Sequence, residues 1–399
     1  MFESFRYRDF KWLLSGTLMA FLAVNMQIIC RSWLVLRLSS DSPFALAMVT
    51  MAMAVPLTVL SLFGGALADR IPRKQVISVC FAGNAIMTFL LATLDMTGLI
   101  RFWHLIVIGV INGSLMAFNM PSRQALVADI VPKENLMNAV ALMNSAMNIT
   151  RTMGPALAGV LIIYVDTSGV FYLNGGVYLF SIICIAMIRL DEDASPRSGK
   201  RMTEDIREGL SYVKRDSTMR GLIIMLFVPS LFGFPYQTLL PAWARETLDV
   251  GSDDLGYLMM VMGVGALTGS LFLASLKNVK RRGALLLAIS LAWGISIAIF
   301  SKTTSYTVAF PCIFVIGAMN AVFMSLDMTL LQVYSSAEMR GRMMSLGLMT
   351  FGLMPLSAIP FGVIAEGIGT GNSLMISGIL LAILTLAFAR WDPKFRDII

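Results

Sequence analysis

The sequence predicts an all-α membrane protein, with twelve transmembrane helices in two six-helix bundles. Three observations lead there. Of the 399 residues, 57% are hydrophobic and 14% charged, with a mean hydropathy of +0.76, which excludes an ordinary soluble globule. The apolar residues gather into twelve stretches, each able to cross a hydrocarbon core of ~30 Å as ~20 residues of helix. Lys and Arg cluster in every second gap between those stretches.

The spans read as 12–38, 44–68, 75–95, 102–126, 137–164, 169–189, 219–245, 254–276, 283–301, 305–332, 342–366 and 370–390. With the N-terminus in the cytosol, 25 of the 31 basic residues fall in inner segments. Arg37, Arg101, Arg245 and Lys302 fall in outer ones, and Arg31 and Arg151 lie within spans. By the positive-inside rule both ends are cytosolic. The expected location is the cytoplasmic (inner) membrane, crossed many times. The net charge of +7 serves orientation and anionic headgroups, so the lipid bilayer rather than nucleic acid is the expected partner.

Residues 1–190 form the expected N-terminal bundle, 191–218 a cytoplasmic linker, and 219–399 the C-terminal bundle. Within the linker, Thr203–Arg215 reads as a short amphipathic helix: Thr203 suits the N-cap, and Ile206, Leu210 and Val213 share one face. It serves as an interdomain strap or a regulatory element. Met1–Lys11 is short and charged, and the first apolar run is long enough to span, so no cleaved signal peptide is expected. Cys30, Cys80, Cys184 and Cys312 lie inside spans, at spacings that suit neither zinc nor a disulfide framework. No metal or cofactor is expected. There is no HExxH, no phosphate loop, and one histidine, His104, so enzyme chemistry is not expected either.

The halves align at one offset of 204 residues. Gly65 pairs with Gly269, Gly113 with Gly317, Met120 with Met324, Leu126 with Leu330, and Glu134 with Glu338. Parallel repeats of this kind place a binding site near the bilayer midplane between the halves. After the second span runs Gly64-Gly65-Ala66-Leu67-Ala68-Asp69-Arg70-Ile71-Pro72-Arg73-Lys74. This resembles the loop signature of the major facilitator superfamily, with Pro72 where Gly is more usual. The resemblance implies the major facilitator fold, with Gly65 in close helix packing and Asp69, Arg70 and Arg73 in a charge cluster that latches one conformation. Asp69 also ends a helix, where an anion needs compensating cations. The alternative is that these bases only set topology. The corresponding second-half loop has Leu273 in place of the acid. The segments Pro121–Leu136 and Asp205–Leu210 resemble a narrower efflux branch, the one that contains the enterobactin exporter.

The fifth span carries Gly154-Pro155-Ala156-Leu157-Ala158-Gly159, similar to an element of exporters in that superfamily. Its small residues favour close helix approach, and Pro155 a bend. The antiporter signature of the fourth span would have Arg four residues before Gly113, where Gly109 stands.

Asn144, Asn148 and Arg151 recur at i, i+4 and i+7 as one polar stripe, and the first span adds Asn25, Gln27 and Arg31. These six read as cavity lining, with interhelical hydrogen bonding as the alternative. None of the 24 acids falls near mid-membrane by these boundaries. Two arginines without central counter-ions favour an anionic substrate. Arg123 and Asp327 are related by the offset, and form either a bridge between bundles or local helix-end pairs. Asp327 and Glu366 are the candidate proton carriers. Pro229, Gly233, Pro235 and Pro241 should break the seventh span. That would expose Tyr236 and Gln237, with Asn320 as a further candidate.

The expected function is secondary active transport by alternating access, as a monomer. A small amphipathic, acidic metabolite, siderophore or drug would be exported, with H+ as the coupling ion. Export direction and proton coupling are what the resemblance implies. Two alternatives remain: an importer of an organic anion, and a non-transporting membrane sensor or scaffold.

Overall fold

A computed structural model of the chain describes residues 3–68, 71–189, 213, 216–275, 281–336, 339, 343 and 356–398. Every regular element among them is helical. In chain order these are α1 (Arg8–Leu38), α2 (Pro43–Ala68), α3 (Arg73–Met96), α4 (Phe102–Ile130) and α5 (Lys133–Ala186). Then come α6 (Ser217–Phe232), α7 (Pro235–Leu248), α8 (Ser252–Ser275), α9 (Arg282–Phe300), α10 (Tyr306–Tyr334), α11 (Leu356–Ile368) and α12 (Thr370–Trp391). Short 3₁₀ turns occupy Glu3–Arg6 and Pro393–Asp397.

Ten helical segments among the described residues are long and apolar enough to cross a membrane. Local chemistry sets their ends. Pro43 opens α2, and Pro72 and Pro132 stand just before α3 and α5, where the missing N–H costs nothing. The α1–α2 turn holds Ser40 and Asp41 in left-handed backbone, at φ 54° and 65°. The 54-residue α5 covers two expected spans, and Asp166, at φ 57° and ψ 176°, interrupts its helical backbone between them. The expected break in the seventh span falls at Gly233 and Phe234, between α6 and α7. There the Gly233 N–H still reaches the Pro229 carbonyl at 2.7 Å. Of the expected span 342–366, residues 342 and 344–355 lie outside the described residues, as do Asp69, Arg70 and most of the linker, including its amphipathic helix apart from Val213.

Asp216 caps α6, its Oδ1 accepting from the Thr218 and Met219 amides at 2.8 and 3.0 Å. Replacing an N-cap acid by alanine costs about 1 kcal/mol. Asp216→Ala is therefore expected to lower the thermal midpoint in detergent by a few degrees while leaving helix content unchanged by circular dichroism.

The chain forms two compact units. The first comprises Met1–Ser40, Ala52–Gly199 and Gly251–Met260; the second comprises Asp41–Met51, Lys200–Val250 and Val261–Ile399. The first turns of α2 and of α8 thus each group with the opposite half of the sequence. In the first unit α1 and α3 pack on α5, around a core that includes Phe10, Leu13, Ile77, Phe81, Leu126 and Tyr178. In the second, α9 packs on α10 and α12, with Trp293, Phe323 and Leu330 fully buried.

The 204-residue repeat has a structural counterpart. A Cβ on Gly113 of α4 would lie 2.0 Å from the Met53 carbonyl oxygen of α2. A Cβ on Gly317 of α10 would lie 2.1 Å from the Met262 carbonyl oxygen of α8. Each unit thus contains a close backbone crossing at the paired glycine, with carbonyl partners that stand 209 rather than 204 residues apart. Leu126 and Leu330, another repeat pair, are both buried.

Candidate functional site

Arg31 sits on the partly buried face of α1, one turn beyond Gln27. Its Nη2 donates to Gln27 Oε1 at 2.9 Å, and its Nη1 lies 3.8 Å from the Met53 sulfur. Nε is buried without a hydrogen-bond partner. No Asp or Glu among the described residues forms an ion pair with this guanidinium. Gln27 is buried and donates through Nε2 to Thr88 Oγ1 on α3 at 3.0 Å. Asn25 turns inward along its own helix, donating to the Phe21 carbonyl at 2.8 Å.

Asn144, Asn148 and Arg151 of α5 are all exposed, as a single polar stripe requires. Just beyond them, α5 passes through Pro155 with helical dihedrals. The small residues here permit two close approaches within the first unit. A Cβ on Gly154 would fall 2.6 Å from Asn25 Cβ, and one on Gly159 would fall 2.4 Å from the Ser252 carbonyl oxygen. The glycines therefore act by close packing against α1 and against the first turn of α8.

Arg123 is buried near the end of α4 without an acidic partner among the described residues. Its guanidinium lies over the Phe21 ring, 4.2 Å from the centroid. The expected helix-end acid is thus replaced by an aromatic face, whose quadrupole attracts the cation.

Of the latch residues, Gly65 falls within α2 and Arg73 at the start of α3. Arg73 forms an ion pair with Asp129 and donates to the Ala125 carbonyl at 3.2 Å. Asp129 escaped the sequence reading, although the argument applied to Asp69 singles it out equally: it is an acid in the last turn of a helix. Thr88 and Asp41 were also missed. Nothing in the sequence marks Thr88, an ordinary threonine on an apolar helix.

In the second unit, Tyr236 is fully buried, edge-on to Trp293 at 6.5 Å, and its hydroxyl accepts from Gln237 Nε2 at 3.3 Å. Packing, more than exposure, defines that ring. Asn320 is buried with Nδ2 unpartnered. Asp327, seven residues further along α10, is fully buried, and neither carboxyl oxygen has a hydrogen-bond partner. Glu366 is exposed at the end of α11 and accepts a hydrogen bond from Ser42. Asp41 pairs with Arg245 at 2.8 Å in the same unit.

The sequence pattern of the family described as "Transmembrane secretion effector" (MFS_3) matches residues 1–396. The chain belongs to the major facilitator superfamily. Relatives in this superfamily include the staphyloferrin A transporter of Staphylococcus aureus, 23% identical over 97% of each chain. The enterobactin exporter EntS of Shigella boydii is 24% identical over 82% of this chain and 80% of that one. Among solved structures, a bacterial homolog to the human lysosomal transporter Spinster superposes with a TM-score of 0.78 at 14% identity. It covers 97% of this chain and 98% of that one, and the likeness speaks to the fold. The chain is therefore a multi-pass membrane transporter of the major facilitator superfamily, not an enzyme.

Proposed function

We propose that this transporter exports a small, amphipathic, acidic molecule such as a siderophore, working by alternating access of two six-helix bundles. In this reading twelve helices cross the inner membrane and both termini are cytosolic. The observation that carries the anionic substrate is Arg31: a guanidinium held within a span, with unspent donors and no acid paired to it among the described residues. A charge at that depth is costly unless it meets a partner, and a substrate carboxylate or phenolate supplies one. Arg151, exposed on the α5 stripe, is the second contact, flanked by Asn144 and Asn148. Gln237 and Asn320 offer polar groups from the other half, with Tyr236 packed beneath Gln237 as its hydrogen-bond acceptor. Relatives named for staphyloferrin A and enterobactin support the siderophore class.

Export is driven by protons, with Asp327 as the carrier. Arg123 and Glu366 are the other charged groups placed to respond to rocking. Gly65, Asp69, Arg70 and Arg73 form the latch that holds one conformation, with Asp129 now added as the anion facing Arg73. The bilayer and one small molecule are the protein's partners, and it acts as a monomer.

The test is flux. Inverted vesicles expressing the protein should accumulate staphyloferrin A or 2,3-dihydroxybenzoate faster than control vesicles. Arg31→Gln and Arg151→Gln should each cut that uptake about tenfold or more, the worth of a lost charge-assisted hydrogen bond. Uptake of cationic compounds alone, indifferent to both substitutions, would overturn the proposal. Accumulation in whole cells, and not in inverted vesicles, would make the protein an importer.

A further inference from the structure

Arg31 does not hold its pose alone. Its Nη2 donates to Gln27 Oε1 at 2.9 Å, Gln27 Nε2 donates to Thr88 Oγ1 at 3.0 Å, and Thr88 Oγ1 donates to the Asn84 carbonyl at 2.7 Å. A hydroxyl owns one proton. Because that proton goes to the Asn84 carbonyl, Thr88 can only accept from Gln27. The amide is thereby oriented, with Nε2 toward α3 and Oε1 toward the guanidinium. Without the hydroxyl, nothing in this relay stops the amide from turning over and setting its N–H₂ against the guanidinium, donor against donor. Thr88 and Gln27 are 2% and 6% exposed, so water does not readily replace the missing acceptor.

On the other side of the guanidinium the contacts are weak. Among the described residues the hydrogen-bond partner of Nη1 is a thioether sulfur, and Nε has none. We infer that Thr88 is a positioning residue for substrate recognition. Through Gln27 it fixes the Arg31 guanidinium so that Nε and Nη1 stay available to a carboxylate or phenolate oxygen. The inference rests on the reading of Arg31 as the anion-binding group.

Binding to the purified full-length protein in detergent tests it, with citrate, 2,3-dihydroxybenzoate and staphyloferrin A as anionic probes. The uncharged trimethyl ester of citrate is the control. Thr88→Val keeps the shape and removes the acceptor; it should weaken anion binding about fivefold, the cost of one lost neutral hydrogen bond, and leave the ester unaffected. Thr88→Ser should restore binding to within about twofold, since it restores that bond. Gln27→Leu should match Thr88→Val, and the double variant should be no weaker than either, because both break one relay.

If Arg31→Gln weakens anion binding while Thr88→Val and Gln27→Leu do not, the positioning role is wrong and the anion site stands. If Thr88→Val fails to fold, Gln27→Leu decides on the same terms. An equal loss for anions and ester would mark Thr88 as merely structural. If wild type binds none of the three anions, or Arg31→Gln changes nothing, the anionic reading fails and the inference falls with it.

Discussion

Gly113→Val is expected to abolish the folded protein. The Cβ of any residue here would sit 2.0 Å from the Met53 carbonyl oxygen, 2.8 Å from the carbonyl carbon and 3.1 Å from Cα. All three are backbone atoms of a helix and cannot swing aside as a side-chain tip would. Between apolar helices in lipid, association depends on close packing rather than water exclusion, so prising α2 from α4 removes the contact that holds them. Overpacking of a well-filled core typically costs 1–3 kcal/mol, and a forced backbone shift belongs at or above the top of that range, about 3 kcal/mol or more. Gly317→Val should behave alike, because the Met262 carbonyl oxygen would lie 2.1 Å from its Cβ. The control is Gly176, where a Cβ would meet nothing within 4 Å. Alanine there should gain about 0.5–1 kcal/mol from helix propensity. Size-exclusion yield and thermal midpoint measure all three. A Gly113→Val protein that is monodisperse and melts within about 2 °C of wild type would show that α2 and α4 can separate at a cost of only about 1 kcal/mol.

The two glycines also show what was legible beforehand. Their pairing at a fixed offset was readable because a repeated fold demands the same small residue at the same crossing. The transmembrane class was readable because hydrocarbon thickness dictates the length of each apolar run. The break after Pro229 was readable because proline removes a donor the helix needs. Side-chain partners were another matter. Arg123 was expected to find an acid, and instead lies over Phe21, about a hundred residues distant in sequence. Tyr236 was expected to gain exposure from its broken helix, yet Trp293 covers it. Arg37, read only as a basic residue on the outer side, pairs with Asp95, whose second oxygen accepts from Thr167. Helix periodicity tells which residues share a face; it does not tell which neighbouring helix that face meets. Thr88 is the sharpest example, since its role exists only through Gln27 and Arg31 on another helix.

Asp327→Asn is expected to uncouple transport from the pH gradient while leaving the protein folded. Asp327 is 0% exposed on α10, and among the described residues neither oxygen has a hydrogen-bond partner or a cation paired to it. Other acids within the helices are better provided for: Asp95 has Arg37 and Thr167, Asp129 has Arg73, Glu246 accepts from the Thr370 amide, and Glu366 is exposed beside Ser42. An ionised carboxylate with neither donor nor cation, at such a site, costs several kcal/mol. The described geometry therefore suits the neutral acid, and releasing the proton requires water or a cation to reach α10. In the proposed proton-driven cycle, that requirement would tie a proton to a conformational change. Asparagine matches the neutral acid in size and cannot release a proton, so the thermal midpoint should hold or rise. Uptake driven by a pH gradient in proteoliposomes should fall to the leak of empty liposomes, while exchange of labelled for unlabelled substrate continues. Asp327→Glu should retain part of the driven uptake. Full gradient-driven uptake by Asp327→Asn would remove this carboxyl group from the coupling step. Loss of exchange as well would assign it to substrate binding instead.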